Sequence, residues 1–245
     1  MALPETPFRV TLRGEWPEPV VFRRGWARAT ARPWNDHERD ASLRLVRGNS
    51  PFLEACSRML VEYGVPSVIS PPLPSGGRRT WQQVGYQPFL ELALMRLALD
   101  MAPASPDHLV VQADDTRLDQ MLAIDHSAFS PFWRFDLHGL REALDATGRS
   151  SVLVIRDAEG GLAGFAVVGY GNAIAYLQRV AVHPRWQGHG MGRSLVRVAA
   201  RTARSSGARV MLLNTQLDNR PAINLYLSEG YVRLPDPLSL LRYRP

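Results

Sequence analysis

The stretch Gln187-Gly188-His189-Gly190-Met191-Gly192 constrains this chain more than any other. It follows an extended apolar run at residues 175–182 and leads directly into residues 193–204, whose apolar positions recur at helical spacing. A strand, a glycine loop and a helix start together make a cradle for phosphate. Glycine reaches left-handed dihedrals and lets the backbone pass close to a ligand. The unpaired N–H groups and the dipole of the helix start give the place a partial positive charge. The pattern predicts a site for a diphosphate.

The residues downstream extend the pattern. An apolar stretch of strand length occupies residues 208–215, then come Asp218-Asn219-Arg220-Pro221, then a helical segment at 222–229 ending at Gly230. Asn219 or Asp218 suits the cap of that helix, Pro221 its first turn, and Gly230 the position just past its end. This order of elements resembles the GNAT acetyltransferase superfamily, whose acyl-CoA motif reads Arg/Gln-x-x-Gly-x-Gly/Ala and is matched by Gln187, Gly190 and Gly192. The second signature of that family is matched by Asn219, Ala222, Leu225-Tyr226 and Gly230-Tyr231. The resemblance covers residues 108–245 and implies an α/β fold, a mixed sheet flanked by helices.

The chain of 245 residues is long enough for one large or two modest domains. Its first residues lack the basic and apolar regions of a signal peptide, and no apolar run reaches membrane-spanning length, so a cytoplasmic protein with no membrane partner is expected. Cys56 stands alone, which excludes an internal disulfide, and no His/Cys spacing suits a metal, so no metal site is expected. Cys56 lies in an apolar helical segment and reads as a buried small residue. The formal net charge of +6, carried entirely by arginine, suits a polyanion such as coenzyme A. Nucleic acid is weakly indicated, because the arginines are scattered rather than blocked, with adjacent pairs at Arg23-Arg24 and Arg78-Arg79.

Along the second part, residues 108–112 read as a strand, 115–129 as an amphipathic helix capped by Asp114 or Asp115, and 136–146 as a short helix. Strands follow at residues 151–156, 162–169 and 174–182, with turns at Glu159-Gly160-Gly161 and Gly171-Asn172, and a last strand is expected at 238–243. In the first part, residues 8–12 and 20–22 are candidate strands. Comparing the chain with itself pairs Trp81 to Tyr86 and the strand after it with Tyr226 to Tyr231 and its following strand. We infer a degenerate second copy of the C-terminal half over residues 50–100, in which the phosphate loop is reduced to Gly48-Asn49-Ser50-Pro51 and Trp81 replaces the tyrosine. The expected division is a degenerate domain at 1–102, a linker at 103–107 and a catalytic domain at 108–245. The N-terminal copy packed as a pseudo-dimer would make a monomer sufficient, and a homodimer is equally open.

What the resemblance implies is acetyl transfer from acetyl-CoA, as cosubstrate, to an amine by direct attack in a ternary complex. The amides of Gly188, His189, Gly190, Met191, Gly192 and Arg193 would bind the pyrophosphate, with Gln187 at the rim. Val180, Ala181 and Val182 match the strand that supplies an N–H to the thioester carbonyl, which a splay or bulge would free from its ladder. Tyr226 matches the phenol that protonates the leaving thiolate, and Asn219 a cofactor contact, although it serves equally as a plain cap. The acidic positions that relatives use as a base are Asn214, Tyr176 and Gln178 here, leaving His183, Asp125, His126, Glu142 or a water chain. The acceptor is open; Phe129, Phe132, Trp133 and Phe135 could line its pocket or belong to the core. A non-catalytic acyl-CoA-binding protein is the alternative.

Overall fold

The computed structural model describes residues 9–113 and 118–245. The expected caps Asp114 and Asp115, and Phe8 of the first candidate strand, lie outside these. The chain forms two compact units, Met1–Leu92 with Asp236–Pro245, and Ala93–Pro235.

In the first unit, β1 (Thr11–Arg13), β2 (Val20–Arg24), β3 (Ala27–Pro33) and β4 (Ala41–Arg47) pair antiparallel in that order. Strict alternation turns Val20, Phe22, Ala27, Ala29, Ala31, Ala41 and Leu43 inward, where each is buried. They meet α1 (Ser50–Glu62), whose Phe52, Leu53, Cys56 and Leu60 are fully buried. Burial pushes the Cys56 thiol up to about 12, so it is a packing residue, as the sequence indicates. Next come β5 (Val68–Ile69), parallel to β4 over two residue pairs, the one-turn helix α2 (Arg79–Gln82) and β6 (Gln87–Ala98). The terminal strand Leu238–Tyr243 lies between β5 and the first half of β6, antiparallel to both.

The second unit begins with the rest of β6 and continues through β7 (Val110–Ala113), α3 (Leu118–Ala128), α4 (Leu137–Asp145), β8 (Arg149–Arg156), β9 (Leu162–Tyr170) and β10 (Ile174–Val182). After the glycine loop come α5 (Met191–Ser205), β11 (Val210–Gln216), α6 (Arg220–Ser228) and β12 (Val232–Arg233). The strand order is β6, β11, β10, β9, β8, β7, antiparallel from β10 to β7 and parallel between β10 and β11. Helices cover both faces. Leu195, Val196, Ala199 and Ala203 of α5 pack on one side with Tyr226, and Met121, Ile124 and Leu140 of α3 and α4 on the other. A strand covered on both faces has no polar side, which is why β9 is buried from Ala163 onward.

Two expected borders move. Residues 103–107 are not a free connector between the units but part of the second, laid along α5. Arg201 donates to the Pro103 carbonyl (3.1 Å), Arg197 to that of Ser105 (2.9 Å), and the buried Ser194 hydroxyl accepts from the N–H groups of Asp107 and His108. The terminal strand, here β13, was expected to complete the second part, yet its ladder partners place it in the first unit.

The units repeat one plan. In each, antiparallel strands end in one followed by a helix, and the next strand returns parallel for two or three residue pairs: β2-β3-β4-α1-β5 and β8-β9-β10-α5-β11. The likeness therefore begins at β2, earlier than residues 50–100. Trp81 packs edge-on to Tyr86 at 4.8 Å, and Tyr226 packs tilted against Tyr231 at 5.5 Å, so each aromatic pair matched in the sequence is a ring contact in the structure.

Candidate functional site

The loop between β10 and α5 has the dihedrals its glycines promise. Gly188 and Gly190 both lie at φ +82°, a region closed to most side chains, and Gly190 caps α5. The first helical bond runs from Ser194 N–H to the Gly190 carbonyl (3.0 Å). Among the described residues, none of the N–H groups from residue 188 to 193 has a backbone acceptor, and no side chain caps the helix. A run of open donors at a helix start has the polarity that suits an anion. His108 Nε2 bonds the His189 carbonyl (2.7 Å) and its ring lies 3.5 Å from the place a Gly190 Cβ would occupy, so this side chain props the loop from beneath. The Gln187 side chain, expected at the rim, donates to the Val182 carbonyl (3.0 Å) and ties loop to strand. Arg193 turns its side chain away to Glu229 (2.9 Å), leaving its amide at the loop.

The same helix start looks different in the first unit. There Asn49 caps α1 by accepting from Phe52 N–H (3.2 Å), Arg24 donates to that Asn49 oxygen (3.4 Å), and Pro51 removes one donor. A Cβ on Gly48 would lie 2.7 Å from the Phe52 ring. The degenerate loop is closed by its own side chains.

Beside the open loop the sheet comes apart. The β10–β11 ladder consists of Ile174↔Val210, Ala175↔Met211 and Tyr176↔Leu212, although both strands continue to Val182 and Gln216. The β10–β9 ladder shifts register between Leu177 and Arg179, a bulge. His183 N–H donates to the Ala163 carbonyl (2.8 Å), and bonded residues alternate in an antiparallel ladder. Val180 and Val182 therefore aim their N–H groups away from β9, to the side where β11 has left. Ala181, grouped with them on sequence, instead faces its main chain to β9 opposite Phe165, which corrects that assignment.

Tyr226, on α6, is 8% exposed, and its hydroxyl has no hydrogen-bond partner among the described residues. Burial pushes its pKa up to about 12, opposed by the positive charge of Arg179. The phenol stays protonated at neutral pH and is held ready to donate. Asn219 caps α6 by accepting from Ala222 N–H (3.3 Å) and donates to Gln216 (3.3 Å).

The feature that sequence reading missed is a clamp on the bulge. Arg179 makes a bidentate pair with Asp125 of α3 (2.6 and 2.9 Å), donates to the Trp133 carbonyl (2.6 Å), and lies against the rings of Phe129 and Phe135 at 3.5 and 4.0 Å. Asp125 also accepts from Phe135 N–H (2.8 Å). This buried carboxylate is fully engaged and no longer a candidate base. His126 bonds the Phe135 carbonyl (2.7 Å), and His183 caps the turn of residues 184–186. Phe129 and Phe135 thus serve the clamp. The signal of it in the sequence is a charged residue, Arg179, inside a strand that is apolar apart from its neighbour Gln178 and the hydroxyl of Tyr176.

A family model for the acetyltransferase (GNAT) family matches residues 118–231, which span the clamp, the splayed strands, the open loop and Tyr226. Over these residues, a little under half of the chain, the sequence is similar to that family. Among curated relatives, it is 32% identical over 167 residues to mycothiol acetyltransferase of Arthrobacter sp. (strain FB24), covering 61% of this chain and 51% of that one. It is 40% identical over 92 residues to streptothricin acetyltransferase of Streptomyces lavendulae, covering 37% and 48%. The chain thus spans about half the length of these curated relatives. Among solved structures, a tandem GNAT protein from the clavulanic acid biosynthesis pathway superposes with a TM-score of 0.63 at 17% identity, over 92% of this chain and 82% of that one. That likeness bears on the fold alone, in which one strand-helix-strand plan occurs twice, as described above. No helix among the described residues is long and apolar enough to cross a membrane.

Proposed function

We propose that this chain is an N-acetyltransferase that moves an acetyl group from acetyl-CoA to an amine by direct attack in a ternary complex. The observation that carries the reading is the set of open N–H groups at residues 188–193, after a strand whose Val180 and Val182 amides turn away from β9 to the side that β11 has left. The loop amides and the α5 dipole fit the pyrophosphate of coenzyme A. The N–H groups of Val180 and Val182 fit the pantetheine and the thioester carbonyl, on which negative charge grows as the amine attacks. When the C–S bond breaks, the Tyr226 hydroxyl donates its hydrogen bond or proton to the departing thiolate. The nitrogen's proton leaves to water, since the carboxylate nearest the bulge is committed to Arg179. Asn219, the α6 cap, is proposed as a further cofactor contact, and the acceptor is proposed to enter on the side of α3 and the residues that follow it.

The second unit is the catalytic one in this reading, and the first a degenerate copy that keeps the strand-helix-strand plan. A non-catalytic acyl-CoA-binding protein is the second reading, favoured by the engagement of Asp125. Release of free CoA thiol from acetyl-CoA, in the presence of a panel of small amines and N-terminal peptides, separates the two. Amine-dependent release supports transfer, and saturable acetyl-CoA binding without release under any amine supports the alternative.

A further inference from the structure

The register of the first unit gathers arginines that are far apart in sequence. Thr11, Arg23, Arg28 and Arg47 lie opposite one another across β1 to β4, and Arg13, Val21, Thr30 and Arg44 form the next row. Directly paired residues share a face, and alternate residues along each strand do too. Arg13, Arg23, Arg28, Arg44 and Arg47 therefore all project from the face opposite α1, together with Thr11, Thr30 and Ser42. No carboxylate occupies an outward position on these four strands.

Three features make this more than a solvated surface. Like charges placed directly opposite destabilise a sheet, and here three arginines stand in one row on neighbouring strands, about 4.8 Å apart. Among the described residues, none of the five arginines forms an ion pair, and the Nε groups of Arg23 and Arg28 are screened from water without a hydrogen-bond partner. At the β2–β3 turn next to this row stands Trp26, 65% exposed, and Arg13, Arg44 and Arg47 are exposed as well.

We propose that this face binds a single-stranded nucleic acid through its phosphates, with a base stacked on Trp26. Guanidinium groups take phosphate oxygens in pairs and stack on bases, and an exposed indole beside a cationic surface is the usual sequence-tolerant platform for a single strand. An acidic protein segment would match the charge but would leave Trp26 without a role. Coenzyme A has its own place at the loop of residues 188–193, and the two bindings are independent.

The test is fluorescence anisotropy with labelled uridine and thymidine oligomers of about 12 nucleotides, over a series of salt concentrations. Saturable binding is expected, with log affinity falling against log salt at a slope between about −2 and −3.5, the range for three to five phosphates. The variant R28Q/R44Q/R47Q is expected to flatten that slope by about 2. Its melting temperature should hold or rise, because opposed like charges are removed, and its acetyl-CoA binding should not change. R149Q/R209Q/R233Q, which removes the same charge from the second unit, should bind like the parent, and Trp26→Ala should lose about tenfold. Three results overturn the proposal: no saturable binding at about 50 mM salt, equal losses in the two triple variants, or binding of polyglutamate or duplex DNA as tight as that of the single strand.

Discussion

Tyr226 combines a buried ring with an unbonded hydroxyl, and its chemistry follows from that pairing. Tyr226→Phe keeps the packing against Tyr231 and removes only the donor. Steady-state assays should therefore show kcat falling by about 10²–10⁴ with KM for acetyl-CoA little changed. A variant with full turnover would show that the thiolate leaves unaided. Because burial holds this phenol near 12 rather than 10, it is protonated across the working range, and an alkaline fall in activity between pH 8 and 9 would have to come from another group. The sign for stability follows: the raised pKa contributes stability that is complete below about pH 10 and is lost as pH rises toward 12, measurable as tyrosinate absorbance appearing together with unfolding. Asp125 is the residue whose loss should cost most in stability. Asp125→Ala strands the Arg179 guanidinium among Phe129 and Phe135 and should lower stability by about 3–5 kcal/mol in urea titration. A change below 1 kcal/mol would mean that the clamp is ornamental.

At the scale of the element, the loop and the helix it opens behave as two different glycine problems. Gly190 sits at φ +82°, so Gly190→Val strains the backbone and crowds the approach of the phosphates, and CoA affinity should vanish in a binding assay while α5 still forms. Gly192 is already helical, and a Cβ there would meet Leu225 at 3.6 Å and Val182 at 3.7 Å, ordinary contacts; Gly192→Ala should bind CoA as the parent does and melt slightly higher. Loss of binding in both, or in neither, would show that the dihedral is not what matters. The contrast also explains what was legible in the sequence. Gly190, Pro221 and Gly230 state local backbone needs, so the loop, α6 and most strands could be read directly. The bulge at Leu177/Arg179 and the pairing of β13 with β5 and β6 depend on partners far along the chain, which no local pattern carries. Which amides leave the ladder, as at Val180 and Val182 but not Ala181, is likewise decided by β9 and β11 together.

On the scale of the whole molecule, one plan occurs twice and serves the proposed chemistry once. The open start of α5 and the self-capped start of α1 differ by few residues, with Asn49, Pro51 and Phe52 filling what Gly188, Gly190 and Gly192 leave free. A protein built this way should hold one coenzyme A per chain. Isothermal calorimetry of the intact protein with CoA and with acetyl-CoA, run beside Gly190→Val, tests this most directly. Saturable heat with a stoichiometry near one, abolished in the variant, is expected; no saturable heat, a second site, or undiminished binding by Gly190→Val would overturn the single open-loop site.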